Sequence, residues 1–519
     1  MNNNVSLDYL IIGAGPAGIQ MGYFMDQAGL NYRIVEKGEQ PGHFFKKYPR
    51  HRKLISINKV FTGIDDDEKN LRWDWNSLLG SDAPLFKEYS SSYFPSADDY
   101  LHYLDDFSKK FQLRIDYNTV IDKISKPLGF IAKSSCGKAY KTKRIIVATG
   151  VSRLYFPDIE GIELAETYET FSVNPTDYEN QDVLIIGKGN SGFETADNLI
   201  ESAAKIHIAS PNPIKLAWST KFVGNLRAVN NNFLDTYQLK SQNAILDGNI
   251  RSIQKYNNKY IVTLNYSHAK GEVEELVYDR VLICTGFKFD ASIFDDGCKP
   301  ELSICDRFPK MNEQWESSNI RDLFFAGTIT QQRDYRKTAS GFIHGFRYNV
   351  RSLFRFLEDR FEQKPWPYNR LVSEGSKIVE RIISRVNRSS GLWQQYGFLC
   401  DIVSVNSESG YACYWEEMPK SYAEKCFVNH DHYYVITLEF GDITSDPFSI
   451  ERNPDPDYAA DSVFLHPVIR RFKSGMLIAE HHLLEDLHSD WSRECHIEPL
   501  CEFINAQLKS LSMEKLKVE

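Results

Sequence analysis

Twice along this chain a short apolar run ends in G-x-G-x-x-G and passes into a helical pattern, and no other feature narrows the possible folds as far. The first copy lies in residues 8–28, DYLIIGAGPAGIQMGYFMDQA. Residues 9–12 are apolar, long enough for a buried strand and too short for a helix. Gly13 permits the tight turn, Gly15 lets the backbone approach a pyrophosphate on the helix N-terminus, and Gly18 lets the helix pack close to the strand. Ala17, Met21, Phe24, Met25 and Ala28 give that helix one apolar face. A second strand over 32–35 ends at Glu36, an acid at the offset that meets a ribose 2′-hydroxyl. Pro16 and Ala17 in the turn, and Lys37 and Phe45 beyond the second strand, are further candidate contacts of this nucleotide.

The second copy, GKGNSGFETADNLI, follows a strand over 183–186 and places Gly187, Gly189 and Gly192 at the same spacing. Its next strand, 206–209, ends at Ser210, at the same offset from Gly192 as Glu36 from Gly18. A carboxylate repels a 2′-phosphate and a small hydroxyl can accept one. The first site therefore suits FAD, and the second suits NADPH better than NADH, with Lys215 or Arg227 as sources of positive charge.

Between the motifs, Lys46, Lys47, Arg50, His51, Arg52 and Lys53 form a basic cluster that faces either phosphates or solvent. Residues 96–111 carry Leu101, Leu104, Phe107 and Phe111 at helical spacing, and 113–124 reads as one strand. Buried strands over 144–147, 281–284 and 323–326 run into Ala148-Thr149-Gly150, Thr285-Gly286 and Gly327, which reads as three returns to the first sheet. A long helix begins near Gly341. Pro365, Trp366 and Pro367 mark a linker, beyond which strands (433–440), helices and a Pro- and Asp-rich loop (446–457) carry no nucleotide motif. The expected class is α/β: two Rossmann-like dinucleotide-binding domains, one inserted in the other, plus a C-terminal α+β domain. The boundaries are 1–165 and 281–364 for FAD, 166–280 for NADPH and 365–519 for the C-terminal domain.

Composition narrows the function. The chain has 519 residues, net charge −9 and no basic block of the size a nucleic-acid surface needs. No stretch approaches the roughly 20 apolar residues of a membrane span. The first strand starts almost at Met1, leaving no room for a signal peptide, and EKLKVE is not a retention signal, so a cytoplasmic location is expected. Nine scattered cysteines fit a reducing compartment, and no C-x-x-C stands beside the flavin motif to act as a dithiol acceptor. Two dinucleotide sites imply that NAD(P)H reduces a flavin, which leaves oxygen, a small oxidant or a partner protein as acceptor. His481, Glu485 and His488 would share a helix face near Cys495, His496 and Cys501, but no zinc spacing is met and no metal is expected.

The first motif with Glu36, Tyr93-Phe94-Pro95, Ala148-Thr149-Gly150 and the GNSG of 189–192 resembles the flavin-containing monooxygenases and their N-hydroxylating and Baeyer–Villiger relatives. Longer segments, among them PGHFFKKYPRHRKLISINK, RWDWNSLL, LDTYQLKS, DYRKTASGFIHGFRYNVR, RVNRSSGL and FLHPVI, are similar to the FAD-dependent oxidoreductase domain-containing family of endoplasmic-reticulum flavoproteins associated with degradation of misfolded glycoproteins. That likeness spans about residues 8–472. It implies that Val120, on the strand after the long helix, meets the adenine through its backbone. It also implies that Gly327, Gly341 and Phe342 approach the flavin, that Thr149 and Gly150 bind cofactor, that Asn190, Ser191 and Glu194 join Ser210 as NADPH contacts, and that Asn58 contacts nicotinamide and the flavin peroxide. The activity implied is a single-component monooxygenase: NADPH (NADH possible) reduces FAD, O2 forms a C4a-(hydro)peroxyflavin, and a small-molecule amine, sulfur or aromatic carbon is oxygenated. A halogenase of the same architecture and a flavin-bearing client-binding protein are the alternatives. One departure counts against standard monooxygenase chemistry: F-x-G-x-x-x-H is missing, and the stretch before the second motif reads TYETFSVNPTDY.

Overall fold

In the computed structural model, which describes residues 4–237, 242–406, 410–430, 432–442 and 446–515, strand β1 (Asn4–Ile12) runs into the glycine turn and helix α1 (Pro16–Gln27), followed by β2 (Tyr32–Val35). The similar segment LDTYQLKS extends into 238–241, outside the described residues. The chain divides into two units, one of residues 1–15, 33–58 and 84–310, the other of 16–32, 59–83 and 311–519.

The first unit holds two sheets. Helix α2 (Ala97–Lys110), capped by the Ser96 hydroxyl, buries Leu101, Leu104 and Phe107 as their spacing predicts. It precedes β3 (Ile115–Asp116), β4 (Ile121–Ser125), β5 (Phe130–Ser134) and β6 (Ala139–Val147). These strands order as β3-β2-β1-β6-β5-β4. β1 and β6 run parallel with Ile12 opposite Val147, so both carry their buried runs to the same end. The single strand expected over 113–124 is two: β3 pairs with β2 and β4 pairs with β5, so the chain changes partner across 117–120. Val120 lies on that connection rather than on a strand, and its side chain is exposed.

The short β7 (Arg153–Leu154) leads to the second sheet, made of β8 (Glu166–Thr167), β9 (Asp182–Ile186), β10 (Lys205–Ser210), β11 (Ala244–Tyr256), β12 (Lys259–Tyr266), β13 (Val273–Tyr278) and β14 (Arg280–Ile283). Helix α3 (Asn190–Leu199) joins β9 to β10, and the order is β13-β12-β11-β10-β9-β14-β8. The expected return of 281–284 to the first sheet is corrected: β14 lies parallel to β9, with Val281 opposite Leu184. An apolar tetrad declares a buried strand but not the sheet that buries it. β15 (Phe287–Lys288) pairs with β7, and β16 (Leu302–Ser303) with β17 (Phe308–Pro309).

The second unit contains α1, β18 (Leu323–Phe325), helix α4 (Ile343–Phe361), helix α5 (Gly375–Arg388) and an antiparallel sheet. Its strands are β19 (Tyr368–Val372), β20 (Leu399–Asn406), β21 (Tyr411–Pro419), β22 (Tyr433–Glu439), β23 (His466–Lys473) and β24 (Met476–His482), in the order β19-β21-β20-β22-β23-β24. Helix α6 (Glu494–Lys515) ends it. Ile378, Val379, Ile382, Ile383 and Val386 form the buried face of α5 and pack with Val403, Tyr434, Ile436, Leu500 and Ile504. His481 is on β24 and 483–493 is not helical, so the expected helix face of His481, Glu485 and His488 does not form.

The segment 59–83 belongs to this unit. Gln20 is fully buried, and Leu79 satisfies both ends of its amide at 2.6 and 2.7 Å. Arg72, 1% exposed, donates to the Val386 carbonyl at 2.7 Å and lies 4.7 Å from the Trp393 ring centre. Arg347 reaches the carbonyls of Ser77 and Leu71 at 2.6 and 2.7 Å. Among the described residues no helix is long and apolar enough to cross a membrane.

Candidate dinucleotide-binding sites

The two motifs share one local geometry. At the first, Gly13 has φ +104° and donates to the Val35 carbonyl at 2.8 Å, and an added Cβ would lie 2.8 Å from the Ala148 oxygen. At the second, Gly187 has φ +119°, donates to Ala209 at 2.9 Å, and an added Cβ would lie 2.3 Å from the Cys284 oxygen. Both need the left-handed backbone and the close approach that glycine alone allows. Gly15 and Gly189 differ from these: nothing lies within 4 Å of a Cβ added at either. Each turn is closed below by its first glycine and open at its second, the shape of a pyrophosphate cradle. Gly189 also N-caps α3, and Gly192 crosses so close to Gly187 that a Cβ would meet its carbonyl at 2.1 Å. The residues therefore fit dinucleotides at both turns.

Around the first turn, Glu36 is 4% exposed and its two oxygens accept from Ala14 N–H at 2.7 Å and Gly38 N–H at 2.8 Å. A carboxylate has about four acceptor positions, so a ribose hydroxyl can still be received. The Glu36 carbonyl accepts from Thr119 and the Val120 carbonyl from Ser135, so the 117–120 connection runs beside this loop. Lys37 is exposed, and Phe45 sits edge-on to Tyr100 at 4.8 Å. Beyond β6, Thr149 has a buried hydroxyl with no protein partner, and Gly150 follows with φ +62°. Asn58 is 2% exposed, and its amide nitrogen donates to the Ser90 carbonyl at 2.7 Å. Its Oδ1 is buried without a protein partner.

In the second unit, Pro16, Ala17 and Gly18 open α1 and are buried, with proline at the helix start where its missing N–H costs nothing. Gly327 packs against Ala17, since a Cβ there would come within 2.7 Å of the Ala17 methyl. Gly341 lies against Gln331, and Phe342 caps α4 with its N–H on the Ala339 carbonyl at 2.9 Å. The Phe342 ring stacks on His344 and His344 on Trp75, at 5.9 and 4.1 Å, so His344 is a packed histidine.

At the second turn Asn190 and Ser210 serve the loops around them. The Asn190 amide donates to Asn225 O at 2.9 Å and accepts from Arg227 N–H at 3.0 Å, which fixes the 224–230 loop. Ser191 is half-buried in the first turn of α3, and its carbonyl accepts from Thr195. Ser210 donates to Asn212 O. The cation beside Ser210 is one the sequence reading missed. Lys188, from inside the glycine turn, bonds the Ser210 and Asn212 carbonyls at 3.3 Å and pairs with Asp247, which stands opposite Ser210 on β11. The lysine between the two glycines was the available signal.

The basic cluster of 46–53 is largely used up within the first unit. Lys46 pairs with Glu39, Lys47 with Glu169 at 2.7 Å, and Arg52 with Asp98 at 2.6 Å. Arg50 holds the carbonyls of Tyr168 and Phe171 at 2.6 and 2.8 Å, and Tyr48 stacks on Tyr168. Tyr168 donates to Glu194 at 2.5 Å. Burial pushes the Glu194 carboxyl up to about 7, against the bonds from Tyr168 and the 50–51 backbone. Cys284 beside the turn is fully buried and its thiol is pushed up to about 12, so it stays protonated.

The profile of the Pyridine nucleotide-disulphide oxidoreductase family matches residues 10–327. The mouse (Mus musculus) FAD-dependent oxidoreductase domain-containing protein 2 is 37% identical over 96% of this chain and 83% of its own length. The fold is shared with bacillithiol disulfide reductase of Staphylococcus aureus (TM-score 0.52, 19% identity, 69% of this chain and 99% of that one). It is shared also with a flavin-containing monooxygenase of Stenotrophomonas maltophilia (TM-score 0.50, 19% identity, 68% and 99%).

Proposed function

Because this chain belongs to the pyridine nucleotide-disulphide oxidoreductase family, in the branch of FAD-dependent oxidoreductase domain-containing protein 2, it is an FAD-dependent oxidoreductase, and we propose that it is a single-component monooxygenase using NADPH and O2 on a small molecule. The repeated cradle carries this reading: two glycine turns of the same open shape, at Gly15 and Gly189, in one chain. One cradle serves the electron donor and the other the flavin.

In this reading residues 1–165 and 281–364 serve the FAD and 166–280 the NADPH, with β14 structurally part of the second sheet. Gly13, Gly15, Pro16, Ala17, Gly18 and Glu36 hold the adenosine diphosphate of FAD. Lys37, Phe45, the backbone at Val120, Thr149 and Gly150 are further FAD contacts, and Gly327, Gly341 and Phe342 approach the flavin. Gly187, Gly189, Asn190, Ser191, Glu194 and Ser210 serve NADPH, Asn190 and Glu194 by positioning loops. Bound FAD would take a hydride from the nicotinamide and deliver electrons to oxygen. A dithiol acceptor is disfavoured by burial of Cys284, the thiol beside the second turn, which keeps it protonated and unreactive. Asn58 presents Oδ1 as an acceptor, because its amide hydrogens face the Ser90 and Ser92 carbonyls at 2.7 and 3.5 Å. It orients a bound donor and closes the site to water.

The test is turnover of FAD-loaded protein with NADPH under 18O2 against panels of amines, sulfides and aromatics. A compound that accelerates NADPH oxidation and acquires one 18O atom supports the reading. NADPH oxidation that ends in hydrogen peroxide at the same slow rate whatever is added overturns it. Asn58→Ala is expected to keep FAD bound while raising the share of electrons lost as peroxide.

A further inference from the structure

The side of α5 opposite its buried apolar face carries Arg381, Ser384, Arg385 and Arg388, of which Ser384 and Arg388 are exposed. With Arg351 and Arg355 of α4 they line a cavity of about 330 Å3 in the second unit, whose remaining wall is Glu68, Glu416 and Glu417. Consecutive strand residues normally point to opposite faces. Here the β20–β21 register slips between Cys400 and Ile402, so Glu416 and Glu417 together stand opposite Asp401. Glu417 adopts φ +54°. The bulge turns both carboxylates to one cavity.

These acids do not neutralise the arginines evenly. Glu417 lies between Arg351 and Arg385, Glu416 pairs with Arg381 and Arg385, and Arg385 also holds Asp401 at 2.8 Å. Arg388 reaches Asp66 at 2.6 Å on the rim. Arg355 bonds only the Glu416 main-chain carbonyl, at 3.0 Å, and lies over Trp366; among the described residues it pairs with no carboxylate. Burial, and then the like charge of Arg351, hold its guanidinium down at about 10. Arg355 gives one N–H to the Glu416 carbonyl and keeps further guanidinium donors, and the cavity has room for more than an ion. A phosphate, with three acceptor oxygens and up to two charges, matches convergent guanidinium forks better than a carboxylate does.

We propose that this cavity binds a phosphate-type oxyanion, free or as the end group of a phosphorylated small molecule, with Arg355 as its main anchor and Ser384 at the mouth. The reading is independent of the monooxygenase assignment. The test is calorimetric titration of the full-length FAD-loaded protein, saturated with NADP+, at fixed ionic strength. The probes are inorganic phosphate, glucose 6-phosphate and acetate, with chloride as control. Saturable phosphate binding is expected to weaken at least tenfold in Ser384→Asp, which puts a carboxylate at an exposed position and touches no ion pair, and in Arg355→Met. Both variants are expected to keep their flavin absorbance. Tighter binding of glucose 6-phosphate than of phosphate identifies an end-group site, and equal binding identifies free phosphate. Binding unchanged in Ser384→Asp, acetate binding as tightly as phosphate, or no saturable heat above chloride each overturns the proposal.

Discussion

Gly187 and Gly189 stand two residues apart in one motif and obey different constraints. Gly187→Ala forces a methyl to 2.3 Å from the Cys284 oxygen at φ +119°, and no soluble folded protein is expected. Gly189→Ala meets open space. It is expected to leave the melting temperature unchanged and to weaken NADPH binding at least tenfold, by titration of the FAD-loaded protein. The G-x-G-x-x-G spacing announces this division of labour but not what enforces it at the first glycine, the carbonyl of a residue almost a hundred positions away. Glu194 gives a pH prediction. Its folded value, about 7, lies above the ordinary 4.5 because burial disfavours the charge. Its contribution to stability is therefore fully present below about 4.5 and lost as pH rises through about 7, a change of roughly 3 kcal/mol. Glu194→Gln is expected to flatten that slope, with urea midpoints at about pH 5 and about pH 8 as the measurement.

At the scale of elements, helix amphipathy was legible and ion-pair partners were not. The apolar positions of α2 and the long helix starting near Gly341 are written at helical spacing. The cluster at 46–53 could face phosphate or solvent by sequence, and the fold gives most of it to Glu39, Glu169, Asp98 and the carbonyls of 168 and 171. Arg50 is the clasp of that segment. Arg50→Ala deletes two charged-donor bonds and is expected to cost roughly 3 kcal/mol, seen as a lower urea midpoint at an unchanged slope. The bulge at Glu416–Glu417 was equally hidden, because a strand pattern says nothing of where its partner slips.

For the whole molecule, the C-terminal sheet reads in sequence as a separate domain after a proline-marked linker. In the fold, residues 59–83 belong to the same unit. Arg72 is 1% exposed and depends on the Val386 and Ser389 carbonyls, more than three hundred residues away. Cutting the chain after residue 364 removes those acceptors and bares Leu79, Tyr348, Phe24 and Leu71, which pack in the core built by the C-terminal residues. The truncated protein is expected to aggregate and to lose flavin absorbance on gel filtration. By itself the sequence determined the two nucleotide folds, because strand, glycine turn and helix lie within about thirty residues and each signal is local. Only the tertiary structure decided that β14 joins the second sheet, that Lys188 and Asp247 meet beside Ser210, and that six arginine and serine side chains of α4 and α5 line one cavity with Glu416 and Glu417. Those outcomes depend on which distant strands and helices come together, and no period along the chain encodes that.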